Sequence, residues 1–415
     1  MRGVMRKTVC LFLIATFAST TARTADWPRW RGADRTGVAD ENIKGEWPEG
    51  GPKEIWRVTL GAGYSSPAVV GDRLYITGNV KSGDELRGFL YALDTASGKE
   101  IWSCDYGKEW SANYPLARTT PTVVGDRIFL VSGTMDAVCV STDGKVAWRV
   151  NILERFNGKN LRWGFAESPL VYDNKVICHP GGPDATVVAL DIQTGETLWT
   201  AKGLSGGASY CSPVLLTLHG VRQVVTHTDN HLVGLDTDSG AVLWKAPYRN
   251  SRGIQPNTPL LVRTDTIAVG CGYGHGTHMF HVSKDDGGAF SAEQIWENKE
   301  ADNHFYGIVL HEGVLFSGGT RGGMCAIDPK TGKTLYRVDE MKSPSLVKTS
   351  DRLIGYGEKD GVVCLLEANA EKHAIKGKFP VTYGEGQHWA HPVVANGILY
   401  IRHGSVLVAY SVGTN

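Results

Sequence analysis

The sequence predicts an all-β fold, an eight-bladed β-propeller of four-stranded antiparallel blades, on three observations. One phrase recurs eight times, each copy carries the residue pattern of strands, and the two ends of the chain together complete a copy that neither holds alone. The phrase runs Ser-Pro-apolar-apolar, a Gly-Asp or Asp-Asn turn, an alternating run, then Leu-Asp-x-x-Thr/Ser-Gly and a last strand carrying Trp. Two clear copies are Ser65 to Asp105 and Ser168 to Ala201, and others begin near Thr120, Ser212, Thr258, Tyr306, Ser343 and His391. Starts roughly 35–55 residues apart are the period of a propeller or solenoid.

Within a copy, runs such as Arg73-Leu74-Tyr75-Ile76-Thr77 and Phe89-Leu90-Tyr91-Ala92-Leu93 are rich in β-branched and aromatic residues and bounded by turn residues. Gly71-Asp72, Gly125-Asp126 and Asn396-Gly397 suit two-residue hairpins, where both central positions can need positive φ and Gly, Asn and Asp tolerate it best. A longer turn repeats at Asp94 to Gly98, Asp191 to Gly195, Asp236 to Gly240 and Asp328 to Gly332. Just after it come Trp56, Trp102, Trp148, Trp199, Trp244 and Trp296, with Tyr336 as a seventh aromatic. Blades packed around an axis leave wedges that a large flat ring fills, and each buried indole is worth about 1.5–3 kcal/mol or more. These rings are expected to dock blades, not to bind a ligand. The copy from His391 to Val412 has three strands only, and Lys53 to Val58 reads as a fourth strand without its first three. Pairing them closes the ring and removes two exposed edges.

Bulk properties bound the function. The 415 residues include 43 basic and 43 acidic side chains, so no long-range field draws the protein to nucleic acid or an anionic membrane. Arg2, Arg6 and Lys7 precede an apolar run from Val9 to Ala18, and small residues then offer cleavage after Ala22 or Ala25. This predicts a signal peptide over 1–25, a propeller domain over 26–412, and a periplasmic or secreted monomer without membrane insertion. Cys10 stands at the start of the apolar run rather than at its end, which argues against a lipid anchor. Seven further cysteines show no close pairing and no Cys-x-x-Cys, as expected of buried thiols outside a disulfide scaffold.

The repeats resemble those of the PQQ-like β-propellers, a family that includes quinoprotein alcohol dehydrogenases and the BamB outer-membrane assembly lipoprotein. The likeness covers about residues 27 to 412 and includes the opening Trp27-Pro28-Arg29-Trp30-Arg31-Gly32. The dehydrogenase branch implies PQQ over the axis, calcium held by Glu, Asn and Asp, an aspartate base, a stacking Trp and commonly a ring disulfide of adjacent cysteines. Gly181-Gly182-Pro183-Asp184 resembles the calcium stretch, but Asp184 is short and no two cysteines are adjacent. The BamB branch implies a propeller that works by presenting loops to protein partners.

In a propeller the residues entering each first strand ring one mouth of the channel. Those positions nominate Tyr64, Arg118, Glu167, Tyr210, Asn257, His304, Tyr306, His388 and Trp389 as a ligand-binding funnel mouth, with an Arg118–Glu167 ion pair as the purely structural alternative. His275, His278 and His281 invite a metal reading, yet strand alternation separates His278 from the other two and no carboxylate or thiolate stands at ligand spacing. No catalytic set and no metal site are expected. The function implied is an exported, non-catalytic scaffold that engages a cell-envelope protein or glycan, with no cofactor. The alternative is a PQQ- and calcium-dependent dehydrogenase acting on alcohols or sugars.

Overall fold

Short β-branched runs separated by positive-φ turns leave the chain little choice but hairpins, and all four-stranded sheets here are built from them. The computed structural model describes residues 26–204, 206–320 and 322–414; the expected signal peptide lies outside them. Eight antiparallel sheets of four strands follow one another: residues 68–108, 122–151, 170–200, 214–247, 260–298, 308–338 and 344–380 form blades 1 to 7, and 393–411 begins blade 8. The strand Lys53–Thr59 completes blade 8 by pairing with Val406–Ser411, from Lys53 opposite Ser411 to Thr59 opposite Val406. The ring therefore closes as the sequence predicts.

The hairpin turns separate by residue type. At Asn396-Gly397 both central residues have positive φ, whereas at Gly71-Asp72 and Gly125-Asp126 only the glycine does, which is the type II′ pattern.

The hydrophobic cores lie between blades rather than within them. One cluster joins Phe129 and Trp148 of blade 2 to Val171 and Leu190 of blade 3, and another joins Trp199 of blade 3 to Val224 and Leu235 of blade 4. Every outer strand carries a β-bulge beside its docking position, so the residue before the aromatic is flipped outward. This explains why Ile55, Ile101, Leu198, Ile295 and Leu335 are exposed, each immediately preceding a buried or half-buried ring.

Trp56, Trp102, Trp148, Trp199 and Trp296 each donate their indole N–H to a turn carbonyl of the following blade, for example Trp199 Nε1 to Thr237 O at 3.3 Å. Tyr336 does the same through its hydroxyl to Asn369 O. Trp244 instead donates to Gln223 Oε1 of its own blade at 2.6 Å while packing on Ile267 and Phe280 of the next. The glycine of the following turn lies flat against the ring: a Cβ on Gly240, where φ is +70°, would stand 2.4 Å from Trp199.

Blade 7 has no aromatic at its docking position. Gly377 stands there, and Trp47 from the N-terminal segment packs against it and against Phe379, with Trp47 N donating to Lys376 O. The eighth ring is thus supplied from far away in the chain.

That segment, residues 26–51, threads beneath the axis and touches every blade. Trp27 pairs with Val69, Pro28 O accepts from Val123 N, and Arg29 reaches Val171 O. Arg35 donates to Ser168 O, Pro169 O and Pro213 O, Trp30 Nε1 to Thr258 Oγ1, and Arg31 to Ile308 O. Ala39 N and Lys44 N then bond Lys348 O and Val412 O. These guanidiniums spend most of their N–H groups on carbonyls, which satisfies donor and acceptor together and offsets the cost of burial, while Arg29 Nε, Arg31 Nη1 and Arg35 Nε have no partner among the described residues. The seam between blades 8 and 1 is fixed likewise by the fully buried Arg402, bonded to Gly61 O, Ser65 O, Thr77 O and Gly404 O.

Candidate functional site

The recurring Ser-Pro has a mechanical role at the axis. Each hydroxyl accepts the backbone N–H of the neighbouring blade: His391 N to Ser66 Oγ, Ser66 N to Thr120 Oγ1, Thr120 N to Ser168 Oγ and Ser168 N to Ser212 Oγ, all within 3.0–3.2 Å. Apart from Tyr210 and Ser343, which have positive φ, the chain is extended there, so neighbouring residues point to opposite sides. Counting from those hydroxyls and their equivalents, the residues two positions earlier are Tyr64, Arg118, Ala166, Tyr210, Pro256, His304, Met341 and Trp389. All but the buried Met341 line one cavity of about 300 Å³.

This cavity is a cup. Its floor is Trp30, tilted against His391 with ring centroids 4.5 Å apart and held by Thr258. Its walls add Tyr114, Trp163, Tyr273 and Phe305 from the loops between and within blades. The rings meet at tilted or edge-on angles, with Tyr64 and Trp389 4.7 Å apart, Tyr114 and Trp389 5.4 Å, and Tyr273 and His304 4.7 Å, the arrangement quadrupoles favour.

Of the nine residues expected at the mouth, Tyr64, Arg118, Tyr210, His304 and Trp389 line the cup, and the other four do not. Glu167 and Asn257 sit one position nearer the hydroxyl ring and so face inward. Glu167 is fully buried, its Oε2 on His179 Nδ1, whose Nε2 in turn meets Thr226 Oγ1 at 3.0 Å. Burial pushes its carboxyl up. The Arg118–Glu167 pair accordingly does not form: Arg118 donates to the carbonyls of Trp163, Gly164 and Tyr114. Asn257 bonds Gly270 O, Asn303 O and His304 O as a strut. Tyr306 is buried with its hydroxyl on Glu358 Oε2 at 2.6 Å, and His388 stacks on His403 at 3.8 Å behind the wall.

Two carboxylates that sequence reasoning missed position the cup without lining it. Glu358 accepts from Trp389 Nε1 at 2.8 Å as well as from Tyr306. Glu109 is fully enclosed and accepts from Tyr106 Oη, Trp110 N and Gly133 N, fixing the start of the loop that carries Tyr114 and Arg118; desolvation raises its pKa. The electrostatics of the lining are then simple. Arg118 is its one charged residue, its pKa lowered by burial, and burial holds the His304 imidazole neutral with a pKa of about 4.

Elsewhere, His275 and His278 stack at 4.4 Å, His278 is bonded to Gln294 Oε1 and His275 O, and His281 faces Asp265 at the surface. No group of three potential metal-ligating side chains occurs among the described residues. Asp184 is exposed in a turn closed by Gly182 and Ala185, away from the cup. The seven described cysteines are free and buried.

Comparison with known proteins places this architecture. The family model described as outer membrane protein assembly factor BamB matches residues 48–133 and 86–334. The BamB of Burkholderia pseudomallei (strain K96243) is 25% identical over 303 residues, 70% of each chain, and that of Moranella endobia (strain PCIT) is 23% identical over 311 residues, 69% of this chain and 71% of the relative. The crystal structure of BamB from Moraxella catarrhalis superposes with a TM-score of 0.60 at 15% identity, covering 87% of this chain and 99% of that one. The quinohemoprotein alcohol dehydrogenase of Comamonas testosteroni gives 0.65 at 13% identity over 96% and 82% of the two chains. At such identities the solved structures share the fold alone, so they do not separate scaffold from enzyme. The match of the family model over most of the chain does carry membership: this protein belongs to the BamB-type family of PQQ-like β-propellers.

Proposed function

We propose that the protein is a non-catalytic scaffold of the cell envelope that holds a protein partner against the funnel face. The observation that carries this reading is the lining of the cup: rings on all sides, one guanidinium, a neutral imidazole and no carboxylate. Such a surface supplies contact area and orientation, as binding sites do, and its one imidazole, lowered to about 4 by burial, is only a weak base. The curated relatives, outer membrane protein assembly factors, support a protein as the partner. Among the described residues no helix is long and apolar enough to cross a membrane.

PQQ with calcium fits this cup poorly. A hard cation takes six to eight oxygen ligands, usually with several carboxylates. Glu109, Glu167, Asp302 and Glu358, carboxylates beside the cup that do not line it, are engaged with other protein groups. The quinone's own carboxylates would meet one arginine. The reading is tested by affinity capture from a cell-envelope extract with the wild-type protein and with Trp389→Ala. A partner retained by the first and lost by the second is expected. Alcohol- or sugar-dependent dye reduction after addition of PQQ and calcium would overturn it.

A further inference from the structure

The cup is blind-ended and has the volume of about one large residue. Trp30, tied to Thr258 and His391, seals the channel below it, so a chain cannot thread through. The Arg118 guanidinium has only neutral carbonyls as partners, and among the described residues its Nε donates to nothing. Glu109 acts on this cation through space but lies behind the wall, bonded to Tyr106, Trp110 and Gly133, so no carboxylate bonds the guanidinium from the cavity, and a ligand carboxylate would do so with charge-assisted bonds. Two further cations crown the rim, Arg162 over Trp163 at 5.4 Å and Arg252 over Tyr273 at 5.1 Å. The cup thus offers an aromatic lining, one cation in the wall and a positive approach.

We propose that this cup is a site for an aromatic ring joined to a carboxylate, and that its occupant is the C-terminal residue of a partner polypeptide, ring among Tyr64, Tyr210 and Trp389 and carboxylate on Arg118. The inference rests on the scaffold reading and names the part of the partner it grips. A chain end brings both groups into a closed cup with its backbone leaving through the open mouth. A ring in mid-chain brings no carboxylate of its own to the arginine.

Isothermal titration with four probes tests it: a hexapeptide ending in phenylalanine, its C-terminal amide, 3-phenylpropionate and an oligoglucuronate. The free-acid peptide is expected to bind ~10-fold or more tightly than the amide, the loss of a charge-assisted contact, and more tightly than 3-phenylpropionate. In Arg118→Gln the acid and amide are expected to bind alike, with Arg118→Lys restoring part of the difference. Equal binding of acid and amide to the wild type would overturn the proposal without needing any variant to fold. So would 3-phenylpropionate binding as tightly as the peptide, which would mark a small-molecule site, or preference for the glucuronate, which would mark a glycan. If a captured partner competes with none of the probes yet is lost in Trp389→Ala, the scaffold reading stands and this one fails.

Discussion

The outer wedges between blades and the axial cup are built from the same eight repeats, yet one is uniform and the other is not. In five of the eight wedges an indole donates to a turn carbonyl of the next blade, and the glycine beneath it is equally regular. In the cup the equivalent positions hold Tyr64, Arg118, Ala166, Tyr210, Pro256, His304 and Trp389. Packing a wedge poses the same steric problem each time and admits one solution. A surface for an asymmetric partner has no reason to repeat. Variation at a fixed structural position is thus what the proposed binding face requires.

The sharpest way to break the comparison is in the wedge. Trp199→Ala removes a ring that is 7% exposed and wedged between blades 3 and 4, and a loss of about 3–5 kcal/mol is expected by chemical denaturation. A loss below about 1 kcal/mol would show that the indole does not dock blades.

Next in size is a pH effect from the axial side. Burial depresses His227 and His391 to a pKa of about 3, against about 6.5 in an unfolded chain. Between these values the unfolded state binds more protons, so stability present above pH 6.5 is lost as pH falls toward 3. The slope is about 1.4 kcal/mol per pH unit for each histidine. The raised carboxyls of Glu109 and Glu167 act in the opposite sense, since they take up protons in the folded state first. Denaturation at pH 7, 6, 5 and 4 should therefore show a fall that becomes shallower by about one proton in His391→Gln, whose amide can still donate to Phe305 O. An unchanged slope would mean that His391 is not held neutral.

A smaller effect separates two glycines of similar φ. Gly240, at +70°, lies under Trp199, whereas Gly313, at +76° in the hairpin turn Glu312-Gly313 where both residues have positive φ, has no heavy atom beyond its neighbours within 4 Å of a built Cβ. Alanine at 313 meets only the left-handed backbone penalty, about 1 kcal/mol. At 240 it also displaces the indole, for a total of about 2–4 kcal/mol. Equal losses would remove the turn glycine from the docking mechanism.

The same contrast decides what the sequence could reveal. Spacing exposed the docking rings because a wedge recurs, and it exposed closure because Lys53 to Val58 lacked partners. It could not expose Trp47, which fills the Gly377 wedge from a segment outside the repeat. At the mouth, Tyr64, Arg118, Tyr210, His304 and Trp389 were reachable because strand entry is a topological place. Strand entry also takes in Glu167 and Asn257, one residue nearer the hydroxyl ring, and in an extended chain one residue reverses the face. Aligning the copies on Ser66, Thr120, Ser168, Ser212 and Thr258 separates the two faces. Trp30, Tyr114, Trp163 and Tyr273 had no such signal, since each lies in a loop with its own length.

Tyr114 is where the two ends of the comparison separate most fully. It is 50% exposed, sits at positive φ on the loop pinned by Glu109, and meets Trp389 across the mouth. Tyr114→Ala is expected to change stability by no more than about 0.5 kcal/mol, as for an exposed side chain. It should nevertheless weaken a funnel ligand by ~10-fold, the order of one lost aromatic contact. Thermal denaturation and titration on the same sample measure both. A variant that lost stability but kept affinity would assign this ring to the architecture and leave the cup without its outer wall.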